Sequence, residues 1–591
     1  MKKTFKILST VAITALTLTT TGCTDWLTIY PTDKVVLEEF WKNKEDVNGM
    51  VANSYKNMVT SDFINKVLAY GEFRSDDVIE TSNIKTDLKY INNANLLPTN
   101  PYCDWSIFYK IINNCNIVLK FAPDVIHEDP DFQPGDLNVV RGEMLAIRAL
   151  CHFYLVRAFR DIPLLQEAMV DDSQPLYKPQ VGPLEALEFI LQDLKEAENL
   201  VLDSGSYADM AFNKGRITKD AVRAMMADVL LWKAAFTQYK NQSDGSDCVA
   251  LYTEAIEKCE KVIADRKQYI KEYNKKLQSN GGTVEEEKVG LNPIVASYPL
   301  ETNPVTQGMG SYHDEAYYQI FGWGNNLKES IFELQFDLNY NPNYAFASFY
   351  GYEAKQTSMP FMAATFMGKT GSEENLFKAT DLRRVSSTFM NEGEEDVYHI
   401  AKYTTTYTSQ GTTQKAGLPN FVTTNTDKDG NHYTAQHFIL YRITDVMLME
   451  AEARALRHDS IANDLNEAFK LVKAVYYRSN PYKVSRNDSI SYAAGDPLSM
   501  QSLVMAERQR ELCFEGKRWF DLVRMALRDG STNGMLNLMV PHKYESNQSA
   551  IKSKMASMDA LFFPIHENVI KIDSLIQQNP AYITEDVYSK N

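Results

Sequence analysis

The sequence predicts a mainly α protein whose helical body is interrupted by an irregular, loop-rich lobe containing short β-strands. Three observations carry that expectation. Before about position 280 and after about 440, segments of some 15–23 residues place apolar side chains three and four apart. Short polar turns join these segments, so sequence neighbours should pack in pairs. Between Asn280 and His437, by contrast, Gly, Asn, Thr, Tyr and Pro dominate and helical windows are few. With 44% hydrophobic and 23% charged positions among 591 residues, a large core is available.

The first predicted helix, Leu37 to Met58, carries Phe40, Val47, Val51 and Tyr55 at helical spacing. Trp105 to Phe121 and Leu137 to Phe159 follow, the second more strongly apolar. Pro183 to Leu202 opens on a proline, where a missing N–H is tolerated. Thr218 to Tyr239 and Leu251 to Ala264 complete the first half. In the lobe, Glu329 to Asp337 reads as a strand, and Asp427 to Asn431 as a turn between strand-like runs. Helices return at Ile443 to Leu456, Leu465 to Tyr477 and Leu503 to Leu527. These lengths suggest tetratricopeptide-like helical pairs, although no clean 34-residue repeat is present. The expected organisation is a leader over 1–22, a helical region over 23–240, and a C-terminal region over 280–591. Within that region the irregular lobe covers about 280–437 and helices about 440–530.

The leader sets the expected location. Lys2, Lys3 and Lys6 precede an apolar run from Ile7 to Thr19, too short to span a membrane, and Thr20-Thr21-Gly22 lead into Cys23. This pattern is similar to the bacterial lipoprotein signal, in which the Cys becomes the lipidated first residue. Thr20 stands where Leu is more usual, and an ordinary cleaved leader is the competing reading. Acyl chains of the palmitate type on Cys23 would hold the protein on a membrane without crossing it. Lys plus Arg is 61 against 77 Asp plus Glu, a net charge of −16, which disfavours a nucleic-acid partner. The six remaining cysteines form no CxxC pair and read as buried free thiols.

Motifs for chemistry are missing. The nine histidines form no HExxH, there is no Cys/His cluster, and neither a GxSxG elbow nor a phosphate-cradling loop occurs, so no metal or cofactor is expected. Asn425 to Gly430 has half of a calcium-loop spacing, but position twelve is Gln436, and a hairpin turn is the plainer reading. The most ordered charged segment runs from Glu507 to Arg524. Glu507, Glu511 and Glu515 lie four apart on one predicted helix face, and Arg508 with Glu511, or Arg518 with Asp521, can pair at i,i+3. A structural ion-pair network is expected there rather than catalytic acids.

That segment also resembles the ER-x-x-EL-x-x-EG-x-R-x-x-DL-x-R signature of the SusD/RagB family. Other pieces fit in order: Cys23-Thr-Asp-Trp26-Leu27 with Phe40-Trp41, Trp105-x3-Tyr109-x2-Ile112-x3-Asn116, and Arg141-Gly-Glu143-x4-Arg148-Ala149-x3-Phe153-Tyr154 with Pro163-Leu164. Gly215-Arg216-Ile-Thr-Lys219 and the run from Tyr441 to Ala453 follow, then Phe563-Pro564-Ile565-His566 and Gln578-Asn579-Pro580-x-Tyr582. Arg160-Asp161, where the family commonly has Tyr-Gly, and His566, in place of a second Pro, depart from the pattern. The resemblance implies a non-catalytic, lipid-anchored outer-membrane protein of Bacteroidota, exposed at the cell surface. It also implies capture of a glycan and its delivery to a SusC-like TonB-dependent transporter. The shared motifs read as fold, so they assign no binding residue.

Physics supplies candidates instead. Sugars stack C–H faces on aromatic rings and exchange hydrogen bonds with amides. The lobe offers Tyr298, Tyr312, Tyr317, Tyr318, Phe321 and Trp323, then Tyr340, Tyr344 and Tyr350, with Gln319, Asn325 and Asn326 for polar orientation. Trp323, between two glycines, is the first choice; a core ring packing the lobe on the helices is its competitor. Tyr90 and Tyr102 flank an Asn-rich loop at Asn92 to Asn95 and come second. Peptide capture and, from a different class, a surface glycoside hydrolase remain as alternatives.

Overall fold

A computed structural model describes residues 40–170, 177–281, 292–302, 315–321, 328–351, 361–365, 376–378, 381–389, 398–406, 420–421, 425–426, 428, 432–457, 461–481 and 489–583. Cys23, the leader and Trp26 lie outside these residues.

Helix α1 (Lys44–Met58) starts later than its apolar pattern, because Asn43 and Asp46 form a reciprocal capping box. After α2 (Ser61–Gly71) and the short strand β1 (Val78–Glu80) come α3 (Ser106–Glu128), α4 (Pro134–Phe159), α5 (Pro183–Leu200), α6 (Lys219–Asn241) and α7 (Val249–Ser279). Each helix from α3 to α7 packs on the next. Helix α4 is the axis of this body: every residue from Gly142 to Phe159 is buried. A Cβ on Gly142 would lie 2.7 Å from Val201 Cγ1, so this glycine lets α4 and the end of α5 approach closely. Of the polar motif residues on α4, Glu143 and Arg148 are paired inside, while Arg141 pairs with Glu196 at the surface. Glu143 accepts from Tyr55 at 2.6 Å, Tyr207 at 2.8 Å and Arg216 at 2.7 Å, and Arg148 forks onto Asp193 at 2.7 and 2.8 Å.

The lobe then interrupts the helices. Strand β2 (Ser330–Leu334) falls within the predicted Glu329 to Asp337, and β3 (Met362–Ala364) pairs antiparallel with β1. Residues 425–426 pair antiparallel with 432–433, the hairpin expected around Asp427 to Asn431. Strand β4 (Phe438–Arg442) pairs with β2 and leads into α8 (Ile443–Leu456), which packs back on α7. Helices α9 (Ile461–Ser479), α10 (Pro497–Leu512) and α11 (Arg518–Asp529) follow, and α11 returns onto α6.

Three expectations need correction, the first being the helix predicted over Leu251 to Ala264, which runs on to Ser279. The single helix predicted over Leu503 to Leu527 is two helices, because Phe514 and Gly516 take φ of 66° and 72°. Glu515 therefore lies in the elbow rather than on the face of Glu507 and Glu511. The i,i+3 pairs also give way to partners across the chain: Arg508 reaches Asp445 and Asp521 at 2.9 Å, and Arg518 forks onto Asp76 at 2.7 Å. The six cysteines described are free and buried.

Candidate functional site

The glutamates of the charged motif anchor the lobe. Glu511, at the end of α10, receives the guanidinium groups of Arg383 from the lobe at 3.0 Å, Arg442 from β4 at 2.6 Å, and Arg478 from α9. Arg383 also reaches Glu507 at 2.7 Å, and Glu515 accepts from Lys402 at 2.9 Å. Burial alone would raise the Glu511 carboxyl, but Arg478, Arg442 and Arg383 hold it well below the usual carboxylate range. These groups are essentially inaccessible to solvent, so the motif is the structural network expected of it, sealed under the lobe. Tyr317 roofs it. Its ring is buried, its hydroxyl donates to the Glu511 carbonyl at 2.9 Å, and the Lys402 ammonium stands 5.0 Å from its centroid. Tyr317 is thus corrected from ligand candidate to core.

A tight turn where the chain leaves β2 presents the most exposed large apolar ring among the described residues. Residues 339–344 read Asn-Tyr-Asn-Pro-Asn-Tyr, alternating carboxamides and rings. Asp337 and Asn341 exchange backbone hydrogen bonds at 2.9 and 3.1 Å, and Asp337 Oδ1 accepts from the Asn339 and Tyr340 amides at 2.8 and 3.1 Å. Tyr340 stands on this braced turn with 92% of its surface exposed. Beneath it, Tyr344 packs on Tyr433 with centroids 5.4 Å apart, and buried Asn343 donates to the Gln436 carbonyl at 3.0 Å. The turn leads through a short helix, Ala345–Phe349, to Phe361, whose carbonyl accepts from the Thr81 amide at 3.2 Å.

Phe361 marks a second stretch of surface, the seam along the β1–β3 pair. Lys85 stands 5.2 Å from the Phe361 centroid. Asn93 donates to Glu80 at 2.8 Å and accepts from Asn547 at 2.8 Å, while Lys554 holds Asn95 at 2.7 Å. Tyr544, nearly half exposed, donates to the Glu80 carbonyl at 2.9 Å. Sequence reasoning found the Asn-rich loop but missed Asn547, which reaches it, and Phe361 and Tyr544, which join the seam beside it, all through the tertiary fold.

The remaining candidates divide. Tyr312, Trp323 and Asn325 lie outside the described residues, as does the side chain of Tyr318, whose backbone is in the short helix Glu315–Phe321. Tyr298 is half-buried, with the Lys267 ammonium 5.1 Å from its centroid. Tyr90 is partly exposed, and its carbonyl accepts from the Asn95 amide at 2.8 Å, closing the Asn-rich loop. Tyr102 is mostly buried, and burial pushes its hydroxyl well above the usual range.

Two acids raised side by side lie in the interior, and the exposed Asp529 is raised on its own by partial burial. Burial, then the charge of Asp76, push Asp77 up to about 7, and burial raises neighbouring Glu72; both carboxyls are fully buried. Burial drives His152 down to about 3, so it stays neutral. Among the described residues no cluster of His, Cys, Asp and Glu is arranged to hold a metal, and no helix is long and apolar enough to cross a membrane.

Two family models match the chain, one described as the SusD family over residues 328–582, and one described as starch-binding associating with outer membrane over residues 25–231. SusD-like protein P38 of Formosa agariphila is 24% identical over 551 residues, covering 90% of this chain and 93% of that protein. SusD-like protein P2 of the same organism is 23% identical, covering 88% and 90%. A SusD homolog from Bacteroides thetaiotaomicron superposes with a TM-score of 0.63 at 15% identity, covering 92% of this chain and 98% of that one. A SusD superfamily protein from Bacteroides fragilis gives 0.62 at 18%, covering 92% and 100%. At these identities the structural likeness is one of fold.

Proposed function

This chain belongs to the SusD/RagB family, and from that premise we propose that it captures an oligosaccharide without chemistry and hands it to a SusC-like TonB-dependent transporter. In this reading residues 1–22 are a leader, Cys23 carries the acyl anchor, and the protein faces outward from the outer membrane. Residues 23–240 and 280–591 form its two family regions. The observation that carries glycan capture is the Asn-Tyr turn. An unshielded ring on a braced backbone gives a sugar face its platform at little entropic cost, and the flanking carboxamides meet hydroxyls as donors and acceptors.

Isothermal titration against panels of oligosaccharides and peptides tests the class of ligand. A glycan is expected to bind, and Tyr340→Ala to weaken it about tenfold, roughly 1.4 kcal/mol, with melting unchanged. Binding confined to peptides would transfer the same surface to peptide capture. Release of reducing ends from a bound polysaccharide would show that the protein is a hydrolase.

A further inference from the structure

Two cavities on the helical body meet at the turn that follows α4. Helix α4 ends at Phe159, and Arg160 follows with φ 67° and ψ −69°, while the Asp161 amide donates to the Phe159 carbonyl at 2.9 Å. This is a γ-turn of the rare hand, in which an L side chain is strained. The Arg160 guanidinium is fixed by Asp161 at 2.8 Å and by Asp559, yet keeps a quarter of its surface exposed. A cavity of about 500 Å³ opens on one side, floored by Leu184, Phe236 and Met558 with Tyr239 at its mouth. One of about 310 Å³ opens on the other, bounded by Gln577 and its neighbours. Arg160, Asp161 and Gly182 line both, so together they make one pinched groove.

The chemistry of the groove selects its occupant. Its lining holds Arg160 and Lys240 against Asp161 and Glu185, and Arg160 is already committed to Asp161 and Asp559, so an anion would face two carboxylates and an arginine whose charge is spoken for. A wholly apolar ligand would desolvate that charged pinch without returning its hydrogen bonds. An elongated, uncharged ligand with ring faces and hydroxyls satisfies both halves: its C–H face lies on Tyr239, 38% exposed, and its hydroxyls meet Arg160, Glu185 and Gln577.

We propose that this groove is a second oligosaccharide subsite, on the helical body rather than the lobe, that holds a polymer engaged at the first. The inference rests on the capture reading above. Two weak sites on one polymer raise its retention through effective concentration, without a new tight contact.

Electrophoresis through gels containing amylopectin, xylan, galactomannan or pectin tests it, with wild type, Tyr239→Ala and Arg160→Gly compared. Glycine accepts the γ-turn without strain and Tyr239 is partly exposed, so both variants should fold and melt normally. Each is expected to lower affinity for the retarding polysaccharide about tenfold. A trisaccharide cut from that polymer should bind at two sites per wild-type chain and one per Tyr239→Ala chain. Retardation and stoichiometry equal to wild type in both variants would overturn the subsite and leave capture by the lobe standing. If none of the polysaccharides retards the wild type, the capture reading itself fails, and the subsite with it.

Discussion

Asp77 lies buried beside Glu72 and Asp76, with Gln509 donating to it at 2.8 Å and Arg518 committed to Asp76. Its carboxyl holds its proton up to about pH 7, whereas an unfolded aspartate titrates near 3.9. The contribution of this group to stability is therefore complete below about pH 4 and is lost as pH rises toward 7, at no more than about 1.4 kcal/mol per unit. Glu511 and Glu452, held low by arginines, act in the opposite sense and lose their contribution as pH falls below about 4. In urea titrations between pH 4 and 7, Asp77→Asn is expected to show a shallower fall in midpoint than wild type. Parallel curves would mean that Asp77 titrates as an ordinary surface acid. None of this was legible in the sequence, where Asp76-Asp77 reads as one more acidic pair. Burial separates their behaviour, because one has a guanidinium partner and the other does not. The tyrosines carry the same lesson: Tyr317, Tyr350 and Tyr403 are core and Tyr340 is bare, a difference that composition cannot express.

Among elements, the helices were legible because a 3.6-residue apolar period survives in the sequence, and α8 matches its expected limits at both ends. Several strands of the lobe are two or three residues long, too short for alternation to register. The elbow between α10 and α11 was missed because the charge spacing runs straight through it and only Gly516 interrupts. What holds the elbow is remote in sequence: Glu72, just past α2, accepts from the amides of Phe514 and Gly516, both at 3.0 Å. At the same crossing a Cβ on Gly71 would sit 1.9 Å from the Gly516 carbonyl oxygen. Gly71→Ala must force α2 off the elbow, and we expect a loss of at least about 2 kcal/mol in urea unfolding. Gly49→Ala is the matched control, since its Cβ meets nothing within 4 Å in the interior of α1, and it should stabilise by up to about 1 kcal/mol. Equal effects of the two substitutions would show that the crossing is slack.

For the whole molecule, the question is whether an inserted lobe and a helical body behave as one unit. Helices α7 and α8 pack together across the lobe, so the body closes without a break in its helical series. The lobe is tied to that body by the pairing of β1 with β3 and by the guanidinium groups of Arg383 and Arg442, which meet Arg478 on one buried carboxylate. Arg383 belongs to the lobe, Arg442 to the strand leaving it, and Arg478 to the body, so Glu511 is the carboxylate that all three share, with Asp381, Glu507, Glu515 and Glu329 completing the charge balance around them. A single cooperative transition is therefore expected in calorimetry of the wild type. In Glu511→Gln the three buried cations lose the carboxylate they share, a defect worth about 3–5 kcal/mol when a buried pair is broken. Because the helices keep their own apolar contacts, that loss should fall on lobe docking. The expected result is a split or broadened transition, with early cleavage by trypsin between residues 300 and 437. A variant that melts in one transition at the wild-type temperature would show that apolar packing alone seats the lobe and that the buried network is dispensable to it.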